Sequence, residues 1–379
     1  MSIELKLDCR HYRGDRPCAF NCRCECSHYE PMGTRVLVIK VGAIGDVVRT
    51  ACILPTLQRM YEPVHITWIT APSAARMLGN HPLIDQMLVF DAEGILTAQQ
   101  QSFDLVLSLD KEPAPAALCE SVNASEKRGM GLSPTGTVCP INRECETYFE
   151  LGLDNDLKFH KNWKTYPQLI HQAIAMPYDG QRYTLHCDDD ALDAARDLFA
   201  PLRQSGKPII GVNTGAGRVF VNKTFDPTKW TAVCRELMRD SEVVLLGGAD
   251  EVDINREIVE RLGPDIHFTG EDQTEQQFVA IVDQCDAVIT GDTLALHVAV
   301  ARRVPVVALF GPTCEQEIDL FGRGEKVISP CDCKPCYLRR CDRSPSCMDL
   351  IDVDSVIDAV HRTLKPKKSP KARKTQETT

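Results

Sequence analysis

Four stretches of this chain combine residues that can do chemistry, and they sort into carboxylates placed after apolar runs and small-residue loops suited to an anion. The first is V-L-V-I-K-V-G-A-I-G-D-V-V-R-T, residues 36–50, where Asp46 follows Gly42 and Gly45 at the end of a β-branched and aliphatic run. Such a carboxylate has two readings: an N-cap of the helix that follows, or a group facing the crevice that open α/β sheets keep at the carboxyl ends of their strands. In N-T-G-A-G-R, residues 213–218, small residues leave backbone N–H groups free to approach an anion, and Lys223 and Lys229 follow. L-L-G-G-A-D-E, residues 245–251, breaks at two glycines and reaches Asp250 and Glu251, where a carboxylate can accept the two hydroxyls of a ribose. T-G-D-T-L-A-L-H, residues 290–297, passes from strand to helix with Asp292 and Thr293 in the first turn and His297 one turn on. The free N–H groups and positive dipole end there suit a phosphate. Plainer readings stand beside these: Asp292 and Thr293 as caps, His297 as a satisfied core residue, Lys223 as solvated, Glu251 as a helix-start residue. Position favours the chemical reading, because the loops of the second half all end predicted strands on one edge of one sheet.

The elements that must hold these residues alternate. V-L-V-I-K, H-I-T-W-I-T, M-L-V-F and D-L-V-L-S-L read as strands, with a helix from Asp46 to about Met60 that Pro55 should kink or shorten and another near Ala74. The two glycines of the first stretch are expected to let the backbone turn sharply into its helix. Residues 123–165 are punctuated by Gly, Pro and Asn and give no clear period. A helix over Tyr166–Met176 and a strand-like R-Y-T-L-H-C lead to a boundary near Ser205–Lys207. The second half repeats the alternation: P-I-I-G-V, helix Pro227–Met238, E-V-V-L-L, helices Val252–Leu262 and Glu275–Cys285, A-V-I-T, helix Thr293–Ala301 and P-V-V-A-L-F. Strand–helix alternation predicts parallel sheets covered on both faces, here two doubly wound α/β domains whose strand-end loops line a shared cleft.

With 379 residues, 43% hydrophobic and 25% charged, the chain has the length for two cores and a globular composition. A net charge of −10 argues against general nucleic-acid binding. No apolar run approaches the roughly 20 residues of a membrane span, and the first residues lack a secretory pattern, so a cytoplasmic protein is expected. Residues 365–379 hold six basic residues and one acidic one, leaving the remainder at −15. That tail is expected to be disordered, and solvated or touching an anionic membrane surface.

Taken in order, the opening stretch, G-G-A-D-E, T-G-E-D-Q-T, G-D-T-L-A-L-H-V-A-V-A and the closing C-M-D-L-I resemble glycosyltransferase family 9, which contains the ADP-heptose lipopolysaccharide heptosyltransferases. The likeness runs from about Val36 to Leu364. It implies a GT-B architecture of two Rossmann-like domains: 35–205 for the acceptor and 206–364 for the nucleotide sugar, with 1–34 a Cys-rich extension and 365–379 a tail. It implies inverting transfer with no catalytic metal to an anionic glycolipid such as the lipopolysaccharide inner core, while the basic tail is the segment expected to make peripheral contact with the inner membrane. By motif position Asp46 matches the family's general base. Thr214, Gly215 and Lys223 match its phosphate loop, Glu251 its ribose ligand, and Asp292, Thr293 and His297 its diphosphate signature, with Thr269 and Gly270 also on the donor side. Leu294 departs from the family, where Gly is usual, and bears on which sugar fits. Rival readings are a nucleotide-sugar epimerase of the same architecture and a non-catalytic Cys-rich scaffold. A dinucleotide oxidoreductase is weak, because Gly42 and Gly45 give only G-x-x-G.

Of eighteen cysteines, ten cluster: Cys9, Cys18, Cys22, Cys24 and Cys26 before the first strand, and Cys331, Cys333, Cys336, Cys341 and Cys347 after the last. Cys333, Cys336, Cys341 and Cys347 have spacing compatible with structural zinc. The two ends are candidates to meet and share a metal or a redox-sensitive bridge, or to stay as reduced thiols.

Overall fold

The two sets of apolar runs become two six-stranded sheets in the computed structural model, which describes residues 5–22, 24, 26–215 and 221–365. The first half runs β1 (Thr34–Ile39), α1 (Ile44–Thr50), α2 (Leu54–Tyr61), β2 (Val64–Thr70), α3 (Pro72–Leu78), β3 (Gln86–Val89), α4 (Ala92–Gln100), β4 (Ser102–Ser108), α5 (Pro113–Ser121), β5 (Asn123–Leu132), β6 (Val138–Pro140), α6 (Glu146–Glu150) and α7 (Tyr166–Ala173). The second runs α8 (Asp189–Arg203), β7 (Ile209–Asn213), α9 (Pro227–Leu237), β8 (Glu242–Leu246), α10 (Val252–Leu262), β9 (His267–Phe268), α11 (Glu275–Asp283), β10 (Ala287–Gly291), α12 (Leu294–Arg302), β11 (Val306–Phe310), β12 (Gly324–Ile328) and α13 (Val353–Leu364).

The strand orders are β3-β2-β1-β4-β5-β6 and β12-β11-β10-β7-β8-β9, parallel except for the β5–β6 pair. Each therefore reverses direction of winding once, between β1 and β4 and between β7 and β10. Crevices at such switch points are where open α/β sheets bind ligands. The two expected Rossmann-like α/β layers are thus present. Val36 to Ile39 of β1 and every residue of β2 are buried, as strands covered on both faces require. One apolar cluster runs through both halves, from Val36, Val47 and Trp68 past Tyr183 to Leu296 and Phe310.

Two expectations are corrected, the strand at Arg182–Cys187 and the glycine turn into α1, while the break at Pro55 holds. Arg182–Cys187 is no strand; it is an extended linker with Tyr183 and Leu185 buried, and Arg302 donates to the Leu185 carbonyl at 2.9 Å. Its apolar alternation serves packing against α12 rather than a ladder. The first helix is broken as Pro55 requires: α1 gives way to a 3-10 turn over Ala51–Ile53, and Pro55 is the second residue of α2. The turn into α1 is not made by glycines in the left-handed region, since its positive-φ residue is Ala43, at φ 25°. Beyond Lys365 the basic tail lies outside the described residues, as do residues 216–220 of the phosphate loop. Among the described residues no helix is long and apolar enough to cross a membrane.

Caps set where the site-bearing helices begin. The Asp226 carboxylate accepts from Lys229 N at 2.8 Å, opening α9 on the loop that carries Lys223. Asp226→Ala should lower stability by about 1 kcal/mol with unchanged turnover at saturating substrate, measured by chemical denaturation and steady-state kinetics. A loss of turnover at full occupancy would contradict a purely structural cap.

Candidate active site

The loops at both switch points meet. Ala43, Ile44 and Gly45 after β1 form one wall of a cleft of about 840 Å³, and Asn213, Gly215, Gly247 to Glu251 and Thr293 to Ala295 form much of the other. The approach is close: a Cβ on Gly45 would lie 2.7 Å from His297 Cδ2, so a side chain there would push the first helix off α12. Gly45 is needed for contact rather than for an unusual φ.

Asp46 stands in the first turn of α1, where its carboxylate meets Arg49 at 2.9 Å. Burial works to raise its pKa, but Arg49, Lys40, His297 and Lys223 outweigh that and hold it below the ordinary carboxylate range. The group is therefore ionised at neutral pH, as a proton acceptor must be. Arg49 is fixed in turn, its guanidinium 3.8 Å from the centre of the Tyr166 ring, whose hydroxyl is 2.6 Å from Thr50 Oγ1.

On the facing wall, Thr293 is the N-cap of α12, but its hydroxyl makes no capping bond. It lies 2.9 Å from Thr290 Oγ1 and donates to Asn213 Oδ1 at 3.1 Å, so the side chain does not occupy the helix mouth. Lys223 Nζ lies 3.5 Å from the Asp292 carboxylate and donates to its backbone carbonyl at 3.2 Å. Burial would raise the Asp292 carboxyl, but Lys223, then His297 and Arg49, hold it low. His297 is buried, 3.9 Å from Asp292 Oδ1 and 3.4 Å from the Tyr183 hydroxyl. Burial, with Arg49 adding to it, pushes its pKa down to about 4, leaving a neutral ring at neutral pH.

Glu251 accepts from Gly248 N at 2.9 Å, and burial raises its carboxyl. Gly215 packs against it so tightly that a Cβ would lie 1.9 Å from Glu251 Oε1. Thr214 is fully buried and its hydroxyl donates to Asn255 Oδ1 at 2.6 Å, so this side chain is committed to structure. Thr269 and Gly270 line an adjoining cavity of about 470 Å³; Gln273 borders both spaces and donates to Thr269 Oγ1 at 2.7 Å.

A sequence profile described as glycosyltransferase family 9 (heptosyltransferase) matches residues 97–346, well over half of the chain. The chain belongs to glycosyltransferase family 9. It is similar to lipopolysaccharide heptosyltransferase 2 of Escherichia coli (strain K12), 24% identical over 314 residues that cover 74% of this chain and 83% of that protein. It is also similar to lipopolysaccharide heptosyltransferase 1 of Campylobacter coli, 18% identical over 348 residues covering 86% and 98%. Among solved structures, the glycosyl transferase family 9 protein of Veillonella parvula shares its fold with a TM-score of 0.70 at 16% identity, covering 87% of this chain and 97% of that one. The E. coli ADP-heptose lps heptosyltransferase II does so with a TM-score of 0.66 at 18% identity, covering 87% and 98%. The GT-B arrangement and the glycosyltransferase class expected for a family 9 member both hold.

The zinc set does not form in this family 9 chain. Among the described residues no group of three or more His, Cys, Asp or Glu side chains is placed to hold a metal ion. Cys347 is buried in the second core, where a Cβ on Gly311 would meet its sulfur at 2.7 Å, and burial, then the neighbouring thiols of Cys336, Cys331, Cys333 and Cys341, push its pKa up to about 11. The near neighbour of the Cys333 sulfur is Cys331 at 2.9 Å, which spacing alone did not favour over Cys336. Among the described residues, the two Cys-rich ends pack at different places. The N-terminal segment is anchored at the amino ends of the first sheet, where Arg10 reaches the Val64 carbonyl at 3.1 Å and Asp85 at 2.6 Å. The other cluster packs beyond the carboxyl end of β11, where Cys336 N donates to the Pro312 carbonyl at 3.0 Å.

Three participants were missed by motif reading: Arg49, Tyr166 and Glu317. Arg49 was visible as the basic residue one turn after Asp46, a spacing that pairs side chains on a helix. Tyr166 and Glu317 had no sequence signal. Burial raises the Glu317 carboxyl, with Arg49 and Lys158 opposing, which places a second acid within the field of Asp46 and Asp292.

Proposed function

We propose that this enzyme transfers heptose from ADP-heptose to the core of lipopolysaccharide, with inversion and without a catalytic metal. The observation that carries the reading is the juxtaposition of the Asp46-bearing turn with the α12 end that holds Asp292, Thr293 and His297, drawn together at Gly45. An inverting transfer needs a base on the acceptor side and stabilisation of the leaving group on the donor side. Asp46 is the base for the acceptor hydroxyl. Lys223 and the open N–H groups of α12 meet the charge that develops on the diphosphate, a task a divalent cation does in other enzymes. Glu251 accepts from the ribose, Gly215 lets the donor come close, and Thr214 braces that loop through Asn255. Asp292 and His297 orient Lys223 and the sugar, Leu294 trims the sugar pocket, and Thr269 and Gly270 border the nucleotide side. Domain 35–205 takes the acceptor and 206–364 the donor. The similar proteins named for ADP-heptose and lipopolysaccharide support this substrate pair. Such a glycolipid acceptor implies work at the cytoplasmic face of the inner membrane with peripheral contact.

The deciding test compares ADP-heptose with UDP- and GDP-sugars by thermal shift, since a ligand that binds the native state raises its melting temperature by mass action. A rise with ADP-heptose alone supports the proposal; no rise with any of them would favour a scaffold. Glu251→Gln should weaken ADP-heptose binding about ten-fold by calorimetry, in line with hydrogen bonds to a charged group. An unchanged affinity would remove Glu251 from the ribose role.

A further inference from the structure

A buried ion pair lies directly behind the turn that presents Asp46. Lys40 follows β1 and Asp110 follows β4, and they are 5% and 2% exposed. Parallel register pairs Ile39 with Ser108, which carries Asp110 alongside Val41 and Gly42. Lys40 Nζ donates to Asp110 Oδ1 and to the Gly42 carbonyl at 3.1 Å. Asp110 Oδ2 accepts from Val41 N, and the Gly42 N–H lies 3.3 and 3.4 Å from the two carboxylate oxygens. The next residue is Ala43, held at a φ of 25° that a side chain rarely adopts, and α1 starts immediately after it. A strained residue persists only where its neighbours over-determine it, and the carboxylate on the two preceding amides does that.

As a stabilising device the pair is poor. Desolvating two charges costs about as much as their attraction returns, and apolar replacements of such pairs are often neutral. Its value must lie in what it holds. We propose that Lys40 and Asp110 are positioning residues, which fix the turn presenting Asp46 and keep a positive charge behind its carboxylate. This rests on the reading of Asp46 as the base.

The electrostatics agree with the geometry. Burial would lower the Lys40 pKa, but Asp110 and then Asp46 raise it, so the ammonium is retained. Asp46 is faced by Arg49 from its own helix, Lys40 from β1, His297 from α12 and Lys223 from the phosphate loop. Glu317, Tyr148 and Tyr166 face it as well. Of the positive charges, Lys40 ranks after Arg49 in holding the Asp46 pKa down. A base must be ionised, so turnover is present above the Asp46 pKa and is lost as pH falls through it. Taking the Lys40 charge away raises that pKa and moves the acid limb upward.

The experiment measures kcat and donor KM against pH with ADP-heptose and heptose-deficient lipopolysaccharide. The variants are Lys40→Met/Asp110→Asn, Lys40→Arg and Asp46→Asn. The double variant removes both buried charges together, leaves an amide to accept from the turn, and is confirmed as folded by an unchanged thermal shift with ADP-heptose. Its acid limb should move to higher pH, because the Lys40 charge that holds the Asp46 carboxyl low is gone, the shift being reduced by the simultaneous loss of the Asp110 charge. Its kcat should fall by about ten-fold or more, with donor KM within about two-fold of the parent. Lys40→Arg should keep the acid limb in place. If the double variant does not fold, Asp110→Glu, which keeps both charges but displaces the carboxylate from the Val41 and Gly42 amides, must lower kcat with the limb unmoved. An acid limb and kcat equal to the parent in a folded double variant would overturn the pairing role while Asp46→Asn is still inactive. An active Asp46→Asn would instead overturn the reading of Asp46 itself.

Discussion

Asp46→Asn is expected to lower turnover by roughly 10²–10⁴-fold while the rise in melting temperature with ADP-heptose stays as in the parent. The amide keeps the size of the side chain and can still contact Arg49 but cannot take a proton. Asp46 belongs to the first turn of α1 and its ion pair is with Arg49 on the same helix, so the donor loops should keep their own contacts. Loss of kcat with retained donor binding separates a transferase from a scaffold, which should lose nothing. The pH profile adds a check of sign. Because Arg49 and the charges beyond it depress the Asp46 carboxyl, the parent's acid limb should fall below that of an ordinary exposed Asp. Turnover that survived the substitution, or a limb in the histidine range, would assign the base elsewhere.

Lys223→Met should cost kcat about 10²–10³-fold, the usual effect of removing one preorganised donor from a developing negative charge. The geometry gives the reason. The side chain is 15% exposed and lies against Asp292 at the start of α12, reaching both its carboxylate and its backbone carbonyl. When the diphosphate leaves, the cation is already in place and needs little reorganisation. Removing it also takes away the charge that does most to hold the buried Asp292 carboxyl low, so some loss of stability should accompany the loss of rate. Lys223→Arg separates the two effects: charge returns, stability recovers, and kcat recovers in part because the fork differs from an ammonium. A Lys223→Met enzyme within about three-fold of the parent kcat would show that the α12 amides alone carry the leaving group.

Much of the frame was legible because covered parallel strands are continuous apolar runs. E-V-V-L-L is β8 residue for residue, and Val252–Leu262 is α10. The segment 123–165 was opaque for the converse reason. β5 reads N-A-S-E-K-R-G-M-G-L, too polar for a core strand, because it carries exposed charges beside the short antiparallel β6. R-Y-T-L-H-C misled because a buried linker alternates apolar and polar side chains much as a half-buried strand does. At the site, Asp46, Lys223, Glu251, Asp292 and His297 could be picked out from local motifs, since each follows a strand and a break.

What could not be picked out was every relation between distant residues. Asp110 lies 70 positions from Lys40 and sits in no motif, and only the register of β1 on β4 makes it a clamp. Gly45 looked like a turn former, but the left-handed residue is Ala43, and Gly45 is small because His297 leaves no room. The cysteines looked like ligands by spacing, but a ligand set depends on how the sulfurs are placed in space, and among the described residues no three such groups are placed to hold a metal ion. The sequence by itself determined the strand and helix periods, the strand-end loops and the chemical types they carry, because those depend on neighbours a few residues apart. The tertiary structure alone decided which loops face each other, which charges are buried together, and which thiols are packed away. Those depend on contacts that close over long stretches of chain, which no local pattern records.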